Sequence, residues 1–228
     1  MCTLLAIETS TPVCSCTLSR NGETLMNKEN YEGRSHASLL GLFVHEIMEY
    51  ARQQHIRIDA IAVSSGPGSY TGLRIGVSEA KGLSYGLDIP LIAIPTARIM
   101  ASMMKGNADE DTLLCPMIDA RRMEVYATFF DRSLNVIRET SADIVEEGSY
   151  TDLLEKRKII FFGNGAEKCR SVITHANALF FDDIHPLASG MAPLAKKAFT
   201  DKAFVDVAYF EPFYLKEFIA TVPRNKVL

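Results

Sequence analysis

The sequence predicts an α/β protein made of two units that share one order of elements. Each half of the 228-residue chain opens with three short segments of strand length, and helices alternate with strands after them. A polar, turn-rich stretch at 105–111 lies between the halves. With 47% hydrophobic residues, the chain can bury two cores. We therefore predict mixed-sheet domains at 1–106 and 107–228, and leave open whether the last helix and the tail pack back onto the first domain.

The first half reads as a hairpin followed by alternating helices and strands. Asn21-Gly22, between two apolar segments, is typical of a two-residue hairpin turn. Apolar residues at helical spacing predict a helix that begins at Ser35 and reaches Ala51. The other expected elements are strands at 4–7, 14–18, 60–64 and 90–94, a helix that ends near Gly86, and a helix at 96–104 with Thr96 as its N-cap.

The second half repeats this order. Two expected strands are joined by the turn Asp119-Ala120-Arg121-Arg122, and a third extended segment follows. The expected elements are strands at 113–118, 124–130, 135–145, 159–162 and 179–181, and helices at 150–156, 166–176 and 189–199. The aromatic-rich segment 209–216 is expected to pack at the domain interface, and the polar end 223–228 to be disordered or docked on a partner.

Charge and cysteine content argue against several classes of protein. A net charge of −4 implies no broad basic face, so tight nucleic-acid binding by this chain alone is not expected. No apolar run approaches the roughly 20 residues of a membrane span, and the N-terminus reads as a strand rather than a signal peptide. The five cysteines form no CxxC pair, which is typical of a reduced cytoplasmic protein.

The most informative segment is the glycine-rich stretch at 64–77, which follows a β-branched run and leads into a helix. Backbone N–H groups at such a helix N-terminus can hold an anion. No glycine here is followed by Lys and then Ser or Thr, as a Walker A loop requires. The GxGxxxG spacing is also one residue longer than that of a dinucleotide loop, so the stretch fits neither nucleotide motif.

Small residues recur along the helix that follows. Gly72, Gly76 and Ala80 stand at intervals of four residues and share one side of the helix. A glycine inside a helix costs about 0.5–1 kcal/mol relative to alanine. Two such residues on one stripe indicate that another helix approaches closely. That helix belongs either to this chain or to another one, and the stripe alone leaves both open.

Four segments together resemble one known family: LAIETST at 5–11, GPGSYTGLRIG at 66–76, AKGL at 80–83 and DARRMEVY at 119–126. The repeated order of elements resembles the actin, Hsp70 and sugar-kinase superfamily. Within that superfamily the segments are similar to the bacterial TsaB (YeaZ) family, and the similarity extends over essentially the full chain. The resemblance implies two actin-like, ribonuclease H-like domains, each a mixed sheet with flanking helices.

The resemblance also implies a function. TsaB proteins are non-catalytic scaffold or activator subunits of the complex that transfers a threonylcarbamoyl group to N6 of adenosine 37 in ANN-reading tRNAs. The expected partners are a TsaD-type catalytic subunit, a TsaE-type ATPase and a second copy of this chain, with tRNA bound only through the complex. The superfamily's older name, glycoprotease, does not imply that activity here.

The same resemblance places partner contacts on the helix after the glycine-rich stretch and on the helical region before it. The expected interface residues are Gly72, Leu73, Arg74, Gly76, Val77, Ala80, His36, Leu39 and Leu40. If the stripe faces another chain, Gly76→Leu should abolish dimerisation and leave a folded monomer.

No catalytic residue or metal site is expected. The resemblance implies that a TsaD-type subunit holds its metal with two histidines one helical turn apart. Thr96 and Met100 occupy those places here, and neither binds a hard divalent metal well. His36 and His45 are nine residues apart and point to opposite sides of a helix.

A weak nucleotide contact has five candidate residues: Glu8, Ser10, Gly66, Gly68 and Asp119. Glu8 and Asp119 lie roughly where an actin-type ATP site has its acids, but the turn at 9–12 has no glycine to admit a phosphate. Glu8 either anchors that turn or keeps the contact. Asp119 either stabilises its hairpin by pairing with Arg121 or Arg122, or contacts a partner or nucleotide. No cofactor of the chain's own is expected, and ATP or ADP would bind at a junction shared with another subunit.

Two other functions stay as alternatives. The first is an actin-superfamily ATP-binding enzyme, either a kinase or a metal-dependent hydrolase. The second is a homodimeric binding module without a role in tRNA modification. Turnover by the purified chain would favour the first, and failure to bind a TsaD-type subunit would favour the second.

Overall fold

A computed structural model describes residues 1–33 and 35–216 of the chain. The first five strands form one mixed sheet in the order β3-β2-β1-β4-β5. Strand β1 runs antiparallel to β2 and parallel to β4, and β4 runs parallel to β5. The strands are β1 (Thr3–Glu8), β2 (Cys14–Arg20), β3 (Glu23–Asn30), β4 (Ala60–Ser64) and β5 (Leu91–Ile94).

The next five strands form a second mixed sheet with the same internal order. They are β6 (Leu113–Asp119), β7 (Glu124–Phe130), β8 (Val136–Ile144), β9 (Ile159–Phe162) and β10 (Ala178–Phe181). Their order is β10-β9-β6-β7-β8. In reverse, from β8 to β10, this matches the first sheet, with β6 in the central place of β1. Strand β6 pairs antiparallel with β7 and parallel with β9, as β1 does with β2 and β4. The predicted α/β class with two mixed sheets is confirmed.

Within the described residues, five α-helices accompany the sheets: α1 (His36–Gln53), α2 (Tyr70–Leu87), α3 (Thr96–Met104), α4 (Thr151–Leu154) and α5 (Ala188–Thr200). The helix predicted at 166–176 is wrong, since only a 3₁₀ turn at Glu167–Cys169 forms there. The following Val172-Ile173-Thr174 is a β-branched run, which disfavours helix. Thr96 is also not an N-cap: Pro95 takes that position, and Thr96 is the first helical residue.

Helices cover both faces of the first sheet. On one face, Leu5, Ile7 and Val63 pack with α1 and α2 through residues such as Ile47 and Val77. On the other face, Leu4, Ala6 and Ala62 pack with Met191 and Ala195 of α5. The last described helix therefore completes the core of the first sheet. Helix α3 in turn contacts the second sheet and α5.

The chain after α5 crosses the surface from the first sheet to the second, and we call residues 205–216 the C-terminal strap. Val205 bridges to Leu91 at the edge of the first sheet, and Lys81 Nζ donates to the carbonyls of Ala208 and Phe210, each at 3.1 Å. The expected segment 223–228 lies outside the described residues. Of the described helices, none combines the length and the apolar character that a membrane crossing requires.

Candidate functional site

The loop between β4 and α2 packs against two other segments of the same chain. The Ser69 amide donates to the Ser10 carbonyl at 2.6 Å, and the Phe213 amide of the strap donates to the Ser65 carbonyl at 2.7 Å. A Cβ at Gly68 would overlap the Ser10 carbonyl. At Gly66, where φ is +99°, a Cβ would lie 2.6 Å from the Phe213 carbonyl oxygen.

These contacts explain why glycine stands at positions 66 and 68. They let backbone from the turn at 9–12 and from the strap approach the loop closely. Protein backbone lies against both glycines, and a nucleotide contact by Gly66 and Gly68 stays a prediction. The turn at 9–12 is held in addition by His36, whose Nε2–H donates to the Thr11 carbonyl at 2.9 Å.

The stripe on α2 has an internal explanation as well. A Cβ at Gly72 would overlap the Thr9 carbonyl, and one at Gly76 would overlap Thr9 Oγ1. The Thr9 hydroxyl donates to the Gly72 carbonyl at 2.8 Å. The close neighbour is thus the turn after β1 rather than a helix of another chain.

Most of the expected interface residues are consequently inaccessible. Seven of them are buried within the chain in this conformation: Gly72, Leu73, Gly76, Val77, Ala80, His36 and Leu40. Arg74 is exposed and Leu39 is half-buried. The stripe of small residues correctly indicated that another segment approaches α2 closely. It did not indicate that this segment is the turn after β1.

Glu8 lies at the end of β1 and is fully buried. Its Oε1 accepts a hydrogen bond from the Ser10 amide at 2.6 Å, so the side chain anchors the turn. Burial raises the pKa of Glu8 to about 7, since desolvation of the charged form outweighs the lowering by the backbone amides of Ser10 and Thr9. Because Glu8 and Ser10 are both inaccessible, neither is placed to touch a nucleotide in this conformation.

Several buried side-chain oxygens near Glu8 have no hydrogen-bond partner within the residues that the structure describes. Strands β1, β4 and β5 are neighbours that run parallel, so their carboxyl ends meet at one edge of the sheet. Among the described residues, buried side-chain oxygens near this edge that lack a hydrogen-bond partner are Glu8 Oε2, Ser10 Oγ, Thr11 Oγ1, Ser64 Oγ and Thr96 Oγ1. This edge is polar yet closed to solvent.

Asp119, the second expected acid, lies exposed at the end of β6. Its Oδ1 forms an ion pair with Lys168 and accepts a hydrogen bond from the Arg121 amide at 3.1 Å. Of the two alternatives for Asp119, the contact with Arg121 is present, and the backbone amide of Arg121 makes it rather than the guanidinium group. The carboxylate therefore stabilises its hairpin through Lys168 and the backbone of the turn.

The two positions considered for metal ligands in the sequence hold core residues. Thr96 and Met100 are fully buried, and Met100 packs with Leu114 and Phe162 of the second sheet. In the part of the chain that the structure describes, no three His, Cys, Asp or Glu side chains cluster as metal ligands would. The five cysteines, all buried, are free thiols.

A second series of glycines lies on the solvent side of α1 and α2 and was missed in the sequence. Gly41, Gly82 and Gly86 are exposed, and a Cβ at any of them would meet nothing within 4 Å. Leu42 is 48% exposed and Tyr85 84% exposed on the same helices. We call these five residues the outer helical face. The signal for it was Ser78-x-x-x-Gly82-x-x-x-Gly86, a second series with four-residue spacing.

Comparison with known proteins identifies the family. The family model for TsaD, tRNA N6-adenosine threonylcarbamoyltransferase, matches residues 28–220. A tRNA threonylcarbamoyladenosine biosynthesis protein of Escherichia coli, TsaB, is 30% identical over 225 residues, which cover 95% of this chain and 96% of that protein. The chain belongs to the TsaB family.

Further TsaB relatives agree with this placement. TsaB of Bacillus subtilis is 29% identical over 174 residues, 75% of either protein. A crystal structure from Pseudomonas aeruginosa, of an uncharacterized protein with similarity to peptidase YeaZ, has a TM-score of 0.81 at 25% identity and covers 95% of this chain and 100% of its own. The resemblance noted in the sequence is confirmed. In this TsaB-family chain, the glycine-rich stretch serves internal packing.

Proposed function

We propose that this chain is an accessory subunit in the biosynthesis of threonylcarbamoyladenosine at position 37 of ANN-reading tRNAs, and that it activates a TsaD-type catalytic subunit. The observation that carries the proposal is the 30% identity with Escherichia coli TsaB over 95% of the chain, since that protein is named for this modification. A TsaE-type ATPase belongs to the same assembly, and the role places the chain in the cytoplasm.

The proposal assigns the transfer chemistry to the partner. Two features of the chain support this. The backbone of Ser10 and Phe213 packs against the loop after β4. Thr96 and Met100 are buried in the core. Because Glu8 and Ser10 are buried, any ATP or ADP in this proposal binds at a junction with another subunit.

The outer helical face is the surface that we propose for the TsaD-type subunit and for a second copy of this chain. Helical glycines at Gly41, Gly82 and Gly86 disfavour the helix and have no neighbour that requires them. A helix of a partner that packs closely there would explain all three. Leu42 and Tyr85 supply apolar area beside them, and Arg74 and Leu39 are the expected contacts that stay accessible.

A transferase or hydrolase activity of the chain itself is the second candidate. The observation that favours it is the match to a family model named for a transferase. Purified chain incubated with unmodified tRNA and an activated threonylcarbamoyl donor tests it. Modified adenosine formed without a TsaD-type subunit would support the enzyme and contradict the accessory role.

Depletion in the native organism tests the proposed function. We expect the threonylcarbamoyladenosine content of tRNA, measured by mass spectrometry of nucleoside digests, to fall when this chain is depleted and to recover when it is restored. Unchanged modification under depletion would contradict the proposal.

A matched pair of variants tests the outer helical face. Gly82→Arg should leave the monomer folded, because the added side chain meets open space, and should prevent binding of the TsaD-type subunit. Gly106→Arg is the control, since Gly106 lies in the 3₁₀ turn at Lys105–Asn107 and also has nothing within 4 Å of its Cβ position. Analytical gel filtration of the mixed subunits measures both. Equal binding by the two variants would exclude this face.

A further inference from the structure

The turn between β6 and β7 carries unusual backbone strain. Arg121 has φ +73° and Arg122 has φ +49°, so two consecutive residues with side chains adopt the left-handed conformation. This conformation disfavours residues other than glycine by roughly 1–2 kcal/mol each. Four residues, 120–123, connect the two strands, and glycine or asparagine adopts the left-handed conformation most readily. Turn formation therefore does not explain why arginine stands at both positions.

The two guanidinium groups are exposed and carry uncompensated charge. Asp119, the nearest acid in sequence, forms its ion pair with Lys168. Glu124, which follows the turn, forms its ion pair with Lys216 of the strap. Among the described residues, no acid pairs with the side chain of Arg121 or Arg122. The turn is therefore a local excess of positive charge on a chain whose net charge is −4.

Aromatic rings lie next to this charge. Tyr126 of β7 is half-buried beside Lys216 and Arg121: burial raises its pKa, and both cations counteract the rise. Along the strap, the Tyr214 ring lies 4.9 Å from that of Tyr70, and the Arg74 guanidinium lies 4.9 Å from the centre of the Tyr70 ring. The strap, which carries Tyr214 and Lys216, therefore connects the aromatic contacts at the start of α2 with the surroundings of the turn.

We propose that the Arg121–Arg122 turn binds phosphate groups of the RNA backbone, and that the strap beside it extends this contact. Arginine donates to phosphate in a fork geometry, and tyrosine faces stack on unpaired bases. An acidic protein surface would match the charge but not the adjoining rings. The inference rests on the proposed function, because it assigns part of the tRNA contact to this subunit. The strain at the turn is then retained because it presents both guanidinium groups to solvent.

The test uses the complex of this chain with its TsaD-type subunit and an unmodified tRNA transcript. The variant R121N/R122G puts residues that tolerate the left-handed conformation at both positions. We expect its melting temperature to rise and the affinity of the complex for tRNA to fall on the order of tenfold, as loss of charge-assisted hydrogen bonds predicts. Fluorescence anisotropy at several salt concentrations should show a salt dependence shallower by about 1–2 phosphate contacts.

Two further variants separate charge from turn shape. R121K/R122K keeps both charges and should retain most of the affinity for tRNA. R132Q is the control for a general loss of charge, since Arg132 is an exposed arginine in the β7–β8 turn. Unchanged tRNA affinity in R121N/R122G, or an equal loss in R132Q, would overturn the inference.

Other outcomes identify a different ligand. Loss of assembly with the TsaD-type subunit in R121N/R122G, measured by gel filtration, would assign the turn to a protein contact and overturn the inference. Weaker ATP binding with unchanged tRNA affinity would assign it to a nucleotide and overturn it as well. If the wild-type complex forms but binds no tRNA, the inference fails while the accessory role can still be judged by depletion. If no complex forms and depletion leaves modification unchanged, the proposed function fails.

Discussion

Thr9 determines which residues α2 can carry at two positions. Its carbonyl faces Gly72 and its hydroxyl faces Gly76, so both glycines are needed for packing inside the chain. We therefore expect Gly76→Ala to lower the free energy of unfolding by about 1–3 kcal/mol through overpacking, although alanine is the better helix former. Urea unfolding followed by circular dichroism measures the change.

Gly82→Ala is the control for helix propensity, because its Cβ meets open space. It should raise the free energy of unfolding by about 0.5–1 kcal/mol. The double variant Thr9→Ala with Gly76→Ala should lose less stability than the two single changes added together, since the overlapping hydroxyl is gone. A folded, stable Gly76→Leu monomer that no longer dimerises would contradict this account and favour a partner at the stripe.

Glu8 should make stability depend on pH. Its pKa of about 7 in the folded chain lies above the ordinary 4.5, so the folded state holds the proton more tightly than the unfolded state. The stability from the neutral buried carboxyl is fully present below about pH 4.5 and is lost as pH rises through about 7. The total effect is at most about 3 kcal/mol.

Glu8→Gln should remove this dependence, because the amide stays neutral and its oxygen can still accept from the Ser10 amide. The free energy of unfolding of the variant minus that of wild type should therefore increase from about pH 5 to about pH 8. Denaturant unfolding at both values measures the gain. Glu139→Gln changes an exposed carboxylate on β8 and should keep the wild-type slope. A wild-type slope in Glu8→Gln would show that Glu8 is not the titrating group.

The strap connects α2 to the second sheet. Lys81 of α2 donates to two of its carbonyls, Phe213 bonds to the loop before α2, and Lys216 pairs with Glu124 of β7. Lys81→Met keeps most of the apolar stem and removes the donor. We expect hydrogen exchange at the Val205 and Phe213 amides to accelerate about tenfold, for a loss of about 1–2 kcal/mol.

Lys105→Met serves as the control for this variant, because Lys105 is exposed and lies in the 3₁₀ turn after α3. It should leave exchange in the strap unchanged. Unchanged hydrogen exchange in the strap of Lys81→Met would mean that the aromatic and backbone contacts alone hold the strap.

The order of elements was predictable, whereas the neighbours of each element were not. In the described part of the chain, periodicity and turn residues predicted all ten strands and all five α-helices to within a few residues. They also predicted a sixth helix, at 166–176, where only a 3₁₀ turn forms. The stripe at Gly72 and Gly76 correctly signalled a close approach, but spacing along a helix cannot say what lies across from it. Glu8 and Asp119 were identified as notable acids. The roles of Lys168 and Thr9 depend on contacts between residues far apart in sequence, which local patterns do not contain.

At the scale of the whole molecule, the first sheet depends on a helix from the far end of the chain. Leu4, Ala6 and Ala62 are covered by Met191 and Ala195 of α5. We expect the fragment 1–106 to lack a cooperative unfolding transition, because this face would be exposed to water. Circular dichroism and thermal melts of the fragment, alone and mixed with 107–228, measure this. A cooperative transition in the isolated fragment would show that α5 is dispensable.

The position of α5 also affects how the protein is made. Strands β1 and β4 leave the ribosome early, but the helix that covers one of their faces is synthesised only after both sheets. Throughout that interval the nascent chain presents an apolar sheet face with no cover, the kind of surface that chaperones bind and that promotes aggregation. Premature termination before α5 would therefore produce a fragment marked for degradation rather than a smaller working subunit.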